Sequence, residues 1–174
     1  MRYVHTGRRD RSSSHISDIQ FLPMFLWSLV IAQFVLSAAI VLSADWSPVP
    51  IWALLASAPG VLLAVTAWWA VGLSKIRIHP ETTNATELKT DGPYGLVRHP
   101  MYSGLLWFTA ALLGEPFVTW RLACWVFLLV VLYIKSRYEE ISLVDRFPEY
   151  RSYQSRVGGL LPRFRRNDIS SPGG

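Results

Sequence analysis

Polar alternation disappears from long stretches of this chain. Residues 21–43, FLPMFLWSLVIAQFVLSAAIVLS, and 51–73, IWALLASAPGVLLAVTAWWAVGL, hold no ionisable side chain. A helix in a water-soluble core keeps a polar stripe on its outer face, and these runs have none. Each is long enough to cross a hydrocarbon layer about 30 Å thick as a helix. Two more apolar runs follow, MYSGLLWFTAALLG at 101–114 and PFVTWRLACWVFLLVVLYI at 116–134. The third is short: a helix from Pro100 to Gly114 rises about 21 Å at 1.5 Å per residue. Gly114-Glu115-Pro116 then breaks and reverses the chain. The pattern predicts an all-α integral membrane protein with about four transmembrane helices. Runs three and four form a tight C-terminal hairpin in this reading, dipping in from one side. Run one follows Arg8, Arg9 and Arg11. It is longer than a signal-peptide core of about 7–15 residues, so it reads as a retained anchor.

Charge sets the expected orientation. Arg2, Arg8, Arg9 and Arg11 precede run one. Lys75, Arg77, Lys89 and Arg98 lie between runs two and three, and the chain from 135 onward is again basic. Arg121 is the exception near the hairpin tip. Basic residues favour the cytoplasmic side of short loops, so both termini are expected there. The net +5 is then a basic surface against anionic headgroups, with membrane lipids rather than nucleic acid as the partner. Only 17% of residues are charged, against roughly 25% in soluble proteins. Arginine far outnumbers lysine, which fits a GC-rich bacterial genome and a plasma-membrane location. Cys124 is the single cysteine, so neither an intrachain disulfide nor a thiolate metal site is available. His5, His15, His79 and His99 are scattered without ligand spacing, and no metal is expected. The organisation reads as a basic tail (1–20), two transmembrane helices (21–73), a core (74–164) and a polar tail (165–174).

Polar residues that need an explanation gather in two clusters on the same predicted side. In the first, Asp91-Gly92-Pro93-Tyr94 is a turn signature, and His99-Pro100 reads as a helix start. The next backbone N–H groups lack intrahelical partners and could receive an anion. Arg98, His99 and Tyr102 stand at that opening, although arginine and tyrosine at a helix end are also ordinary interfacial anchors. In the second cluster, run four continues past Arg137 and Tyr138 to Glu139, Glu140 and Leu143. Phe147, Tyr150, Tyr153 and Val157 then follow at helical spacing among Arg146, Arg151 and Arg156, an amphipathic helix on the membrane surface. An acidic pair is usually a solvated face, but a carboxylate beside lipid is costly without a cation partner.

Together the clusters resemble the isoprenylcysteine carboxyl methyltransferase family, to which phospholipid methyltransferases are related. The resemblance is carried by Gly-Pro-Tyr-x-x-Val-Arg-His-Pro-x-Tyr-x-Gly at 92–104, Glu-Glu-x-x-Leu at 139–143, Phe-x-x-Tyr-x-x-Tyr at 147–153 and Leu161-Pro162. It spans residues 88–164; Pro148 stands where that family usually has glycine. It implies methyl transfer from S-adenosyl-L-methionine to a lipophilic or lipidated acceptor, such as an isoprenylcysteine-type carboxylate. Tyr94, Val97, Arg98, His99, Pro100, Tyr102, Glu139 and Glu140 would bind the cofactor. Arg98, Arg137 and Glu140 would act in catalysis. Arg98, Arg137 and Arg151 are each candidates to orient a carboxylate by paired hydrogen bonds, and spacing does not choose among them.

Two other readings compete. Sterol-type membrane reductases that use NADPH also end in an Arg-His segment and an acidic helix, but with a Gly-Trp opening and paired aspartates. A non-catalytic membrane scaffold would use the same tyrosines and arginines as anchors. Nothing in the sequence sets the oligomeric state.

Overall fold

A computed structural model of the chain describes residues 12–76, 88–114 and 116–163, with side chains left out at 12–23 and 72–76. The N-terminal basic residues, Arg77, Glu115 and the polar C-terminal tail lie outside the described residues. The elements run α1 (Ser12–Leu42), α2 (Ile51–Ile76), a single turn α3 (Pro93–Leu96), α4 (Pro100–Ala111), a 3₁₀ turn (Leu112–Gly114), α5 (Thr119–Arg146) and α6 (Tyr150–Arg156). No strand occurs among the described residues, only an isolated parallel bridge between Val97 and Gly158. The chain is an all-α integral membrane protein. The first helix begins at Ser12, inside the segment expected to be a tail.

Three described helices are long and apolar enough to cross a membrane, over Met24–Leu42, Ile51–Val71 and Thr119–Arg146. The 12 residues of α4 rise only about 18 Å, so run three, one of the four expected crossings, is a shorter helix packed against α2. The bundle is turned out relative to a soluble protein. Trp27, Phe34, Trp52, Trp68, Trp69 and Phe127 are exposed on its outer surface, where lipid tails replace water. Inside, Ile40, Leu106, Leu112, Leu128 and Leu132 are buried, with Cys124 packed against them.

Pairing between helices follows side-chain size. The fourth helix packs chiefly against α2, and α5 against α1. Runs three and four are therefore joined by a tight turn without being each other's main partner. Gly60 and Gly104 decide this. A Cβ on Gly104 would lie 2.5 Å from the Gly60 carbonyl oxygen and 2.9 Å from the Ala64 Cβ. Small residues are what let two helix backbones approach this closely in a membrane. Trp107 Nε1 fastens the crossing by donating to the Ala56 carbonyl at 2.9 Å.

At the opposite end from the paired glutamates, Arg121 is 1% exposed. Its guanidinium donates to the carbonyls of Ile40 at 3.1 Å, Leu112 at 2.7 Å and Pro116 at 2.6 Å. A cation is favourable at a helix C-terminus, where carbonyls lack intrahelical partners. One planar fork thus ties the ends of α1 and α4 to the start of α5. The arginine that broke the sequence's charge asymmetry is a buried clasp.

The expected amphipathic helix is shorter than its apolar spacing suggested. Phe147, preceding Pro148, is extended at φ −127° and ψ 103°, as a residue before proline prefers. The break ends α5 and lets α6 turn Tyr150 and Tyr153 inward, where both are buried.

Candidate functional site

The segment Asp91–Pro100 folds as the sequence suggests. Gly92 takes φ +58°, a left-handed conformation that favours glycine, and Pro93 opens the α3 turn. Val97 is extended and buried. His99 caps α4 and Pro100 is its first residue. One expectation about this start fails. The N–H groups of Tyr102 and Ser103 close onto the His99 carbonyl, at 3.1 and 3.0 Å. Those of Arg98 and His99 donate to Gly158 and Gly159, at 2.8 and 3.2 Å. These donors are spent on the protein itself rather than presented to an anion.

The partner is a strap, Val157–Leu160, that passes over the Arg98-His99 pair. Ser103 Oγ donates to its Leu160 carbonyl at 2.7 Å. Gly158 has no room for a side chain, since a Cβ would lie 1.9 Å from the Leu161 carbonyl oxygen. Gly159 passes beside Arg98, its Cβ position 3.4 Å from a guanidinium nitrogen.

Beneath the strap, Glu140 is the hub. Its side chain is 4% exposed. Its Oε1 accepts from Arg98 Nε at 2.8 Å and Nη2 at 2.7 Å, and His99 Nε2 lies 3.1 Å away. Its Oε2 accepts from Arg137 Nη1 at 3.3 Å and Gln154 Nε2 at 3.1 Å. Arg98 is equally engaged, with Nη1 donating to the carbonyls of Gln154 at 3.0 Å and Val157 at 2.5 Å. A buried carboxylate survives desolvation only when charge and hydrogen bonds are both satisfied, and here they are.

Its neighbour is placed differently. The Glu139 side chain is 42% exposed. It accepts a 2.5 Å hydrogen bond from the Tyr102 hydroxyl and faces His99 Nδ1 at 3.6 Å. The His99 and Tyr102 rings stack with centroids 5.6 Å apart. Behind them, the Tyr153 hydroxyl donates to the Tyr94 carbonyl at 2.5 Å. Burial first, and the Glu139 charge second, raise the Tyr94 hydroxyl above its ordinary pKa. Burial and then the Glu140 charge push Tyr150 up to about 12. These phenols stay neutral.

All nine residues singled out for cofactor binding or catalysis thus lie in or beside one cluster. Of the three arginines put forward to orient an acceptor, Arg98 is engaged on all its nitrogens, Arg137 is 59% exposed, and Arg151 lies exposed on α6 outside the cluster. Four participants were not anticipated: Gln154, the Gly158-Gly159 strap, Lys135 and Gln33. The signal for the strap was Gly-Gly just before Leu-Pro, a turn with two small residues. For Gln33 the signal was a lone amide in an otherwise apolar run. Among the described residues no cluster of histidine, cysteine and acidic side chains could hold a metal.

The charged, partly open cluster thus lies at one end of an all-helical membrane bundle. The sequence profile of the phospholipid methyltransferase family matches residues 49–149, more than half of the chain, and the chain belongs to that family. The family includes the isoprenylcysteine carboxyl methyltransferases, in line with the resemblance read from residues 88–164; the match reaches back to take in α2 and ends at residue 149, before Tyr150, Tyr153 and Leu161-Pro162. A methanethiol S-methyltransferase from Pseudomonas deceptionensis is 42% identical over 78 residues, which is 42% of this chain and 28% of that relative. The chain therefore matches less than a third of the relative's length. No solved structure gives a significant match. That family consists of membrane methyltransferases, which generally use S-adenosylmethionine.

Proposed function

We propose that this chain transfers the methyl group of S-adenosylmethionine to a lipophilic acceptor at the cytoplasmic face of a bacterial membrane. The observation that carries the reading is the division of labour between adjacent carboxylates. Glu140 is saturated by Arg98, His99, Arg137 and Gln154. Glu139 is 42% exposed with a single short hydrogen bond, so it keeps acceptor capacity for a cation. A sulfonium-bearing cofactor fits this donor set. Glu139 would hold its positive end, and Arg137, 59% exposed, would take its carboxylate. Tyr94, Tyr102 and His99 would wall the adenosine side, while Val97, Arg98, Pro100 and Glu140 fix that wall in place.

When bound, the cofactor supplies an already activated methyl group. The protein's own task is alignment and exclusion of water. Tyr102 fixes the Glu139 carboxylate through its hydroxyl. The strap, pinned by Arg98 and Ser103, closes the polar side. An acceptor would enter from lipid beside the short α4. Reactants of opposite polarity then meet where the interface and the hydrocarbon join.

Calorimetric titration of S-adenosylhomocysteine and of NADPH into protein in lipid nanodiscs tests this. Micromolar binding of the first is expected in wild type and should be lost in Glu139→Gln. Binding of NADPH instead would replace methyl transfer with a reductase, and binding of neither to folded protein would remove the proposal.

A further inference from the structure

One ionisable side chain beside this site forms no ion pair with either glutamate. Lys135 lies one helical turn before Glu139 on α5, on the hydrocarbon side. A lysine near the end of a membrane helix ordinarily extends its ammonium toward the interface. This one turns inward. Its Nζ donates to Gln33 Oε1 of α1 at 3.1 Å, in the middle of the span Met24–Leu42, and lies 4.9 Å from the centroid of the Tyr102 ring. Both contacts are neutral. The amide takes one N–H and the ring face attracts the charge. An ammonium carries three donors, and among the described residues no carboxylate faces this one within ion-pair distance.

Tyr102 joins the two halves of the arrangement. Its hydroxyl holds Glu139 and its ring lies under Lys135. From the interface inward the order is therefore carboxylate, phenol, ammonium, amide. That order complements a cation outside and an anion inside.

We infer that Lys135, positioned by Gln33 and Tyr102, is the binding group for an anionic nucleophile on an apolar acceptor, a thiolate or a carboxylate and not an amine. This inference rests on the methyl-transfer reading above. An anionic acceptor leaves the step neutral. Its lone pair forms the bond to the methyl carbon, and the methyl–sulfur bond of the sulfonium breaks with its pair remaining on sulfur. A thiol acceptor first gives its proton to water, and a neighbouring ammonium favours the thiolate. An amine would acquire positive charge against Lys135 in a medium that screens it poorly. The thiol arm agrees with the methanethiol S-methyltransferase similarity, which covers only part of each chain.

The test uses full-length protein in nanodiscs with labelled S-adenosylmethionine and octanethiol, octanoate or octylamine as acceptor. Octanethiol or octanoate should be methylated and octylamine should not, and the better of the two anions identifies the source. In Lys135→Met, S-adenosylhomocysteine affinity should be unchanged while kcat/KM falls about 10- to 100-fold, the size of a lost hydrogen bond to a charged group. Octanesulfonate, an inert anion, should raise the Tm of wild type and not of this variant. Preferential turnover of octylamine, or of none of the three by protein that binds the homocysteine product, overturns the inference. So does an undiminished kcat/KM in the variant. The acceptor preference of wild type alone decides the matter if Lys135→Met does not fold. Wild type that fails to bind the product would remove the methyl-transfer reading, and this inference with it.

Discussion

Replacing Glu140 with glutamine changes one atom and should dismantle a network. Five protein contacts converge on the Glu140 carboxylate from Arg98, His99, Arg137 and Gln154. In Glu140→Gln one oxygen becomes an NH₂ group that points at donors, and the Arg98 guanidinium, 12% exposed, loses its one anionic partner among the described residues. Removing one member of a buried pair costs about 3–5 kcal/mol because the other charge stays buried and uncompensated. The Arg137 contact adds little, since that side chain is mostly solvated and such pairs are worth about 0–1 kcal/mol. Glu139→Gln loses one hydrogen bond from Tyr102 at a partly exposed site, about 1 kcal/mol.

The two adjacent glutamates should thus separate in different assays. Glu140→Gln should lower Tm by about 10 °C, taking 2–4 °C per kcal/mol for a chain of this size. Glu139→Gln should melt within a few degrees of wild type, and its defect should appear in binding of S-adenosylhomocysteine. Differential scanning fluorimetry in one detergent, with both variants beside wild type, makes the comparison. If Glu140→Gln melts with wild type and loses binding, then Glu140 is a cofactor ligand and its hydrogen bonds to Arg98 and Gln154 are incidental. That result would refute the reasoning.

Three further outcomes follow from the packing. Gly104→Ala forces a Cβ to within 2.5 Å of the Gly60 carbonyl oxygen and should separate α2 from α4 at about 1–3 kcal/mol, the usual cost of overpacking; Gly114→Ala, with nothing within 4 Å, is the control in the same melting series. Arg121→Lys replaces a planar fork reaching three carbonyls with a point charge, and should cost about 2 kcal/mol or more from lost charged hydrogen bonds, read as a lower detergent melting temperature with cofactor affinity retained. Tyr150 has its pKa pushed up from 10.0 to about 12, so the folded state holds its proton more tightly than the unfolded state. Its contribution to stability is complete below about pH 10 and disappears as pH rises through about 12, so ultraviolet titration should show its phenolate forming near pH 12, and Tyr150→Phe should reduce the tyrosinate signal gained there by one phenol, with Tyr102 and Tyr153 held higher still.

What could be read from the sequence was whatever lies close together along the chain. The spans, the helix start at Pro100 and the continuation of α5 through Glu140 are local patterns, and each is set by hydrophobic run length or by turn chemistry. The Arg-His and Glu-Glu pairs are also local, and their meeting was legible because a recognised pattern joins them. Three contacts had no such pattern. The backbone contact of Gly60 with Gly104 depends on which helices become neighbours, and nothing in the short turn between runs three and four says that α4 will choose α2. The strap at 157–160 uses carbonyl oxygens, which carry no sequence signature. Its glycines only marked a turn.

Lys135 and Gln33 show the limit most clearly, because they are 102 positions apart and each has an ordinary explanation alone. A lysine at the end of an apolar run reads as an anchor, and a single glutamine in an apolar run reads as a tolerated amide. Their pairing excludes both explanations. The same choice separates the two arginines that look alike in the charge count. Arg121 has three backbone carbonyls around its two terminal nitrogens and closes the end of the bundle, whereas Arg98 has a carboxylate and closes a site. For Lys135 the partners are an amide and a ring face, neither of which neutralises it. In hydrocarbon a charge left in that state is expensive, and the arrangement is most stable once an anion from outside the protein completes it. Acceptor binding should then stabilise the fold as well as start the reaction, so the thermal shift with octanesulfonate and the kinetic preference for anionic acceptors should rise and fall together across Lys135 and Gln33 variants.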